Sequence, residues 1–195
     1  MKILHGLPDK SLANSYFESC ALTIGNFDGV HRGHQAMLAL LKNEAQHRNI
    51  PSCVMTFEPH PRDYFAKIAQ KSELAPARIA TLRDKLTELA RCGIDHCVVL
   101  PFNAKFAAQS PQYFIQDVLV SSLGAKYVLV GDDFRFGSKR AGDYAMLDAA
   151  GVQLGFEVAR MNSYEVHGLR VSSSAVREAL NQGRMDDVAK LLGRP

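Results

Sequence analysis

Short apolar runs alternate with amphipathic stretches along most of the chain. Residues 21–24, 53–57, 97–100 and 127–130 are apolar almost throughout, and 156–159 is a weaker fifth run. Continuous apolarity, in place of strict alternation, predicts strands covered on both faces. The stretches between them carry helical spacing. Residues 34–48 bring Met37, Leu38 and Leu41 to one face, and 78–91 do the same for Ile79, Leu82, Leu86 and Leu89, with Gly93 just past the end. Residues 111–120 read as a helix with Ser110 as N-cap and Pro111 in the first position. Two more helices are predicted over 144–150, stopping at Gly151, and over 174–182. Between these two, 164–171 read as two short extended pieces turning at Gly168.

This order predicts an α/β fold, a Rossmann-like doubly wound parallel sheet with helices on both faces. No repeat, low-complexity stretch or linker interrupts it, so residues 1–195 are expected to form a single domain. Ligands of such sheets bind beyond the carboxyl ends of the strands. The segments that follow the first four strands are therefore expected on one rim.

Composition narrows the function class. The chain has 195 residues, 47% hydrophobic and 22% charged, which is ordinary for a soluble protein with one core. A formal net charge of +3 is too small to predict nucleic-acid binding, yet is compatible with a local basic pocket for anionic substrates. No apolar run approaches the ~20 residues of a membrane span, and the N-terminus lacks a signal-peptide pattern. Cys20, Cys53, Cys92 and Cys97 form no CxxC pair and read as reduced thiols of a cytoplasmic protein, with no metal site in their spacing.

The chemistry concentrates in Ile24-Gly25-Asn26-Phe27-Asp28-Gly29-Val30-His31-Arg32-Gly33-His34. A strand, a glycine-rich turn and a helix start leave backbone N–H groups unpaired at the positive end of a helix dipole, a place for anions. His31 and His34, three residues apart, fall on one face of a first helical turn, and Gly33 admits a close approach to the backbone. Imidazole N–H donors there would stabilise charge that builds on a transferred phosphoryl group. Arg170-Val171-Ser172-Ser173-Ser174-Ala175-Val176-Arg177 offers a second helix start with hydroxyls and two guanidinium groups, suited to a triphosphate. The run Gly131-Asp132-Asp133-Phe134-Arg135-Phe136-Gly137 is followed by Ser138-Lys139-Arg140 but is not a P-loop, because the glycine spacing and the Lys–Ser order differ. Its Arg135, Lys139 and Arg140 either serve phosphate or keep the loop solvated.

These motifs, with Phe57-Glu58-Pro59-His60-Pro61, resemble the FMN adenylyltransferase (FAD synthetase) module of the bacterial bifunctional riboflavin kinase/FAD synthetases, within the HxGH nucleotidyltransferases. The resemblance implies transfer of AMP from ATP to FMN, giving FAD and pyrophosphate without a covalent intermediate and with Mg²⁺ accompanying ATP. It assigns the chemistry to His31, His34, Ser173 and Arg177, and ATP contacts to Gly25, Asn26, Phe27, Asp28, Gly33, Asp133, Arg170 and Ser174. It places Phe57, Pro59 and His60 beside the flavin and implies no protein ligand for metal. Two departures stand out: Ser174 where relatives carry Thr, and Asn103 where they often carry Asp. Relatives continue past a segment like 191–195 into a riboflavin kinase module, so kinase activity is not expected from this chain. The alternatives are an adenylyltransferase for another phosphorylated acceptor, such as nicotinamide mononucleotide, and a non-catalytic flavin- or nucleotide-binding module.

Overall fold

The computed structural model describes every residue except 9–17, 163, 167, 168 and 195. Six parallel strands form one sheet in the order β1-β4-β3-β2-β5-β6: β1 (Lys2–His5), β2 (Cys20–Ile24), β3 (Ser52–Glu58), β4 (His96–Pro101), β5 (Ala125–Gly131) and β6 (Glu157–Met161). The chain winds outward from β2 through β3 to β4 and then returns to place β5 on the other side of β2. The carboxyl ends of β2 and β5 therefore flank the point where the winding reverses, where doubly wound sheets bind ligands.

Every residue of β2 is buried, as its unbroken apolarity predicts. Alternate side chains enter two separate cores. Cys20, Leu22 and Ile24 pack with Phe114, Ile115, Val118, Leu119 and Leu147. The first four belong to the π-helical turns Phe114–Ser122 that continue α5 (Pro111–Tyr113), and Leu147 to α6 (Tyr144–Leu154). On the other face Ala21 joins Leu38, Leu41 and Ala45 of α1 (Arg32–His47) and Leu89 of α3 (Leu82–Arg91). A third cluster unites Val171 with α7 (Ser173–Asn181) and α8 (Met185–Leu192).

Several boundaries differ from the sequence expectation. The helix expected over 78–91 begins at Leu82, because Thr81 and Asp84 form a reciprocal capping box. Residues 78–80 are drawn away from it by other partners, described below. The helix expected to stop at Gly151 runs on to Leu154 and ends at Gly155, whose φ is +77°. Gly151 is small for a packing reason: a Cβ there would lie 2.5 Å from the Phe156 carbonyl oxygen. Ser110 caps the helix at Pro111 as expected.

Among the described residues, one strand and three α-helices were not anticipated. The edge strand β1 pairs with β4 although three of its four residues are exposed. α2 (Pro61–Ile68) is capped by His60, and the one-turn α4 (Ala104–Ala107) by Asn103. α8 buries Val188, Leu191 and Leu192, a helical spacing that was present in the sequence. Near the end, β7 (Glu165–Val166) and β8 (Leu169–Arg170) pair antiparallel, while the turn expected at Gly168 lies outside the described residues.

Candidate active site

Beyond β2 the backbone is forced into a tight turn. Phe27, Gly29 and Val30 have φ of +49°, +75° and +39°. A β-branched residue at positive φ is strained, and such strain persists only where surrounding contacts hold it. Those contacts are visible. The Phe27 ring is buried, lying against Gly25 and 4.9 Å from His34. A Cβ on Gly29 would stand 2.7 Å from Ile79 Cγ2, so only glycine fits. Carbonyl oxygens of the strained residues accept from distant side chains: Arg194 Nη2 donates to Gly29 (2.6 Å), and Gln35 Nε2 donates to both Val30 (2.9 Å) and Leu192 (2.8 Å).

His31 caps α1, its Nδ1 accepting from the His34 backbone N–H at 3.2 Å. The proton of a neutral His31 is thereby fixed on Nε2. The two imidazoles stack 3.6 Å apart at 14°. Burial lowers the His31 pKa to about 4, with Arg177 adding to that effect against its own backbone bond and Asp28. Burial also holds His34 well below its usual range, reinforced by His31 and Lys85. Both rings are neutral near pH 7, so each offers one N–H donor at the start of a helix dipole.

Asp28 is almost completely buried and turns inward. Its carboxylate receives Arg177 Nη2 at 2.5 Å and the backbone N–H groups of Ile79 and Ala80 at 3.2 Å each. Arg177 Nε donates in addition to Ala77 O at 2.6 Å. Asp28 is thus held in an ion pair with Arg177 of α7. Ser173 Oγ donates to Asp28 O at 3.1 Å, and Ser172 caps α7. A Cβ on Gly33 would stand 3.3 Å from the His31 ring and 3.4 Å from Val171 O, so a side chain there would crowd the β8–α7 junction. The first and last motifs of the chain, 149 residues apart through Asp28 and Arg177, are one cluster.

The other expected residues frame this centre. Asn26 O accepts from Thr56 Oγ1 and Lys85 Nζ. Arg170 and Ser174 are exposed at the entrance to α7. Across the crevice Asp133 is exposed, its Oδ1 3.5 Å from where a Gly131 Cβ would lie. On the β3 side, Pro59 is exposed and His60 is buried, its Nδ1 accepting from Arg62 N–H at 3.1 Å. Burial, aided by Arg78, lowers the His60 pKa to about 4. Phe57 opens an aromatic wall, 5.8 Å from Phe102 and 5.6 Å from Phe106. Tyr64 and Phe65 stand 5.4 and 5.7 Å from Phe102, and Phe65 is 53% exposed. Phe114, Phe136 and Phe134 extend the wall toward β5.

Sequence reasoning missed most of that wall and all of the 77–80 segment. Arg78 pairs with Glu58 at 2.9 Å and with Asp63 at 3.6 Å, while Ala77, Ile79 and Ala80 bind Arg177 and Asp28. The segment therefore ties the Asp28–Arg177 side of the rim to the aromatic side. Its apolar spacing resembled helix and hid that role.

A family model described as FAD synthetase matches residues 13–175. A bifunctional riboflavin kinase/FMN adenylyltransferase of Escherichia coli (strain K12) is 46% identical over 195 residues, covering 100% of this chain and 60% of the relative. The protein of the same description from Haemophilus influenzae is 43% identical over 195 residues, 100% of this chain and 61% of its own. The chain thus spans about three fifths of the length of the curated relatives it matches. Among solved structures, a Streptococcus pneumoniae protein described as a macrolide-efflux protein superposes with a TM-score of 0.79 at 24% identity, over 100% of this chain and 63% of its own. A pantoate-beta-alanine ligase from Francisella tularensis, complexed with beta-gamma ATP and beta-alanine, gives 0.53 at 15% identity, over 99% and 85%. At those identities the likeness is one of fold.

Proposed function

Since the chain belongs to the FAD synthetase family, we propose that it transfers AMP from ATP to FMN, giving FAD and pyrophosphate. The observation that carries this reading is the stacked, neutral His31–His34 pair at the start of α1, joined through Asp28 to Arg177 of α7. An FMN phosphate oxygen attacks the α-phosphorus of ATP in line, and the bond to the bridging oxygen breaks as pyrophosphate leaves. Negative charge grows on the departing oxygens. The imidazole N–H groups and the α1 dipole meet that charge in the transition state more strongly than in bound ATP. No side chain need act as nucleophile, and positioning with electrostatics carries the rate.

Ser173, Ser174, Arg170 and Arg177 are assigned to the ATP phosphates. Gly25, Asn26, Phe27, Asp28 and Gly33 shape the turn, and Asp133 closes the nucleotide side. Phe57, Pro59 and His60 are assigned to the flavin, and the reading extends this to Phe102, Phe106, Tyr64 and Phe65 because their rings continue from Phe57. A wall of aromatic edges suits a flat, fused ring, and favours FMN over acceptors with smaller rings. In this reading Mg²⁺ is carried on the ATP phosphates, where it screens their charge. No described helix is long and apolar enough to cross a membrane, and four free cysteines suit the reducing cytoplasm.

The test is incubation with ATP, Mg²⁺ and either FMN or riboflavin, followed by chromatography of the flavins. FAD and pyrophosphate should appear from FMN, and riboflavin should remain unchanged, because the acceptor must be a phosphate. Absence of FAD, with FMN and ATP both bound, would leave the non-catalytic module as the better reading. Transfer to nicotinamide mononucleotide in preference to FMN would favour the other acceptor class.

A further inference from the structure

Among the described residues, Lys85 is a charged side chain buried in the hydrophobic layer between α3 and the sheet to which the proposed chemistry gives no role. It is 3% exposed, on the buried face of α3 with Leu89. Its Nζ lies 3.2 Å from Asn26 O and 3.2 Å from Thr56 Oγ1, and the Thr56 hydroxyl donates to the same Asn26 carbonyl at 3.2 Å. Both partners are neutral oxygens. A buried cation without a close counter-ion carries a desolvation cost that neutral acceptors do not fully offset. An apolar residue would fill this position at no such cost, so the charge calls for an explanation. The ammonium sits directly beneath the turn whose outer side leads to the start of α1.

We propose that Lys85 is a positioning residue of the adenylyl-transfer site: it clamps the Asn26 turn onto β3 and supplies fixed positive charge that a bound polyphosphate completes. This rests on the adenylyl-transfer reading for its reaction, but not for its ligand, which is a nucleoside triphosphate. The charged groups around Lys85 agree with an incomplete balance. Burial lowers its pKa; Glu58 from β3, Asp28 from the turn and Cys97 from β4 oppose that, and Arg78 from the intervening segment adds to it. Lys85 in turn acts on His34, together with His31, to keep that imidazole neutral. An anionic ligand above the turn would favour the ammonium form and tighten the clamp.

The test compares Lys85→Met, Lys85→Gln and Lys85→Arg with the wild-type chain by calorimetry of Mg-ATP and of FMN binding, and by FAD formation across pH. Lys85→Met should weaken Mg-ATP by about tenfold or more, the order expected for one fixed charge at an effective dielectric of about 20. FMN binding should change less than about twofold. Lys85→Gln, which keeps a donor without charge, should resemble Met, whereas Arg should recover part of the loss. His34, followed by its ring proton in NMR, should titrate higher in the Met variant because a like charge has gone. Full recovery by Gln, or an unchanged His34 titration, would reduce Lys85 to a hydrogen-bond donor and overturn the proposal.

A measurement on the wild type covers the case in which the variants do not fold. With lysine labelled at Cε, Lys85 should titrate below the surface lysines and move upward when Mg-ATP is added. No movement with ATP bound overturns the proposal. A wild-type chain that binds Mg-ATP with this response yet makes no FAD would refute the adenylyl-transfer reading while upholding Lys85.

Discussion

Replacing Asp28 by Asn removes one charge and almost no volume, at the contact that joins the two ends of the site. The Asp28 and Arg177 side chains are only 5% and 19% exposed. The carboxylate serves three donors: Arg177 Nη2 on one oxygen, and the N–H groups of Ile79 and Ala80 mainly on the other. An amide keeps one acceptor oxygen. Its NH2 must then face either the guanidinium or the two backbone N–H groups, donor against donor. Breaking a buried ion pair costs ~3–5 kcal/mol. Arg177 keeps its bond to Ala77 O and some solvent, so the loss here should be nearer ~2–3 kcal/mol. For a domain of this length each kcal/mol moves Tm by roughly 2–4 °C, giving a fall of ~5–10 °C. Urea and thermal unfolding at pH 7 measure it, with an unchanged urea slope marking the shift as one of stability. A double-mutant cycle with Arg177→Met should show a coupling of ~1.5 kcal/mol or more. Arg177 should also lose its preset direction, raising the KM for ATP. A Tm within about 1 °C of wild type, or additive losses in the cycle, would refute the role assigned to this pair.

His31→Ala and His34→Ala should each lower the turnover of FAD formation at least ~tenfold, roughly 1.4 kcal/mol of transition-state stabilisation, read from steady-state kinetics. His31→Ala should also cost ~1 kcal/mol of stability through loss of the α1 cap, whereas near-normal turnover in both variants would remove the pair from the chemistry. Acid should destabilise the fold through His31 and His60, whose pKa values fall from 6.5 unfolded to about 4 folded. The unfolded chain takes up protons that the native state refuses, so stability is flat in their account above pH 6.5 and declines from there toward pH 4. Each histidine can contribute up to ~3 kcal/mol of that decline. Urea unfolding of His31→Gln at pH 7 and pH 4.5 should show a smaller difference than wild type, and an equal difference would contradict the burial argument.

Continuous apolar runs in the sequence determined the parallel strands and, with the helical spacing between them, the doubly wound class. A buried strand needs apolar residues on both faces whatever lies against it. The turn from Gly25 to His34 was legible for a related reason: positive φ and an open helix start demand particular residues locally. Boundaries failed where a local signal competed with a distant partner. Gly151 reads as a helix stop, yet it lies inside the helix, where the Phe156 carbonyl leaves no space for a Cβ. Residues 78–80 carry helical spacing, yet the Ile79 and Ala80 N–H groups donate to Asp28 and the preceding Ala77 carbonyl accepts from Arg177. The direction of the Asp28 carboxylate was not legible, since its partner lies 149 residues away. The aromatic wall was hidden likewise, because Phe57, Phe102 and Phe106 come from separate segments and meet only when β3 and β4 pair. Periodicity and turn chemistry are written in neighbouring residues, so the sequence determines them. Which charge faces which, and what the buried Lys85 supports, depends on packing between distant elements, and only the tertiary structure decides it.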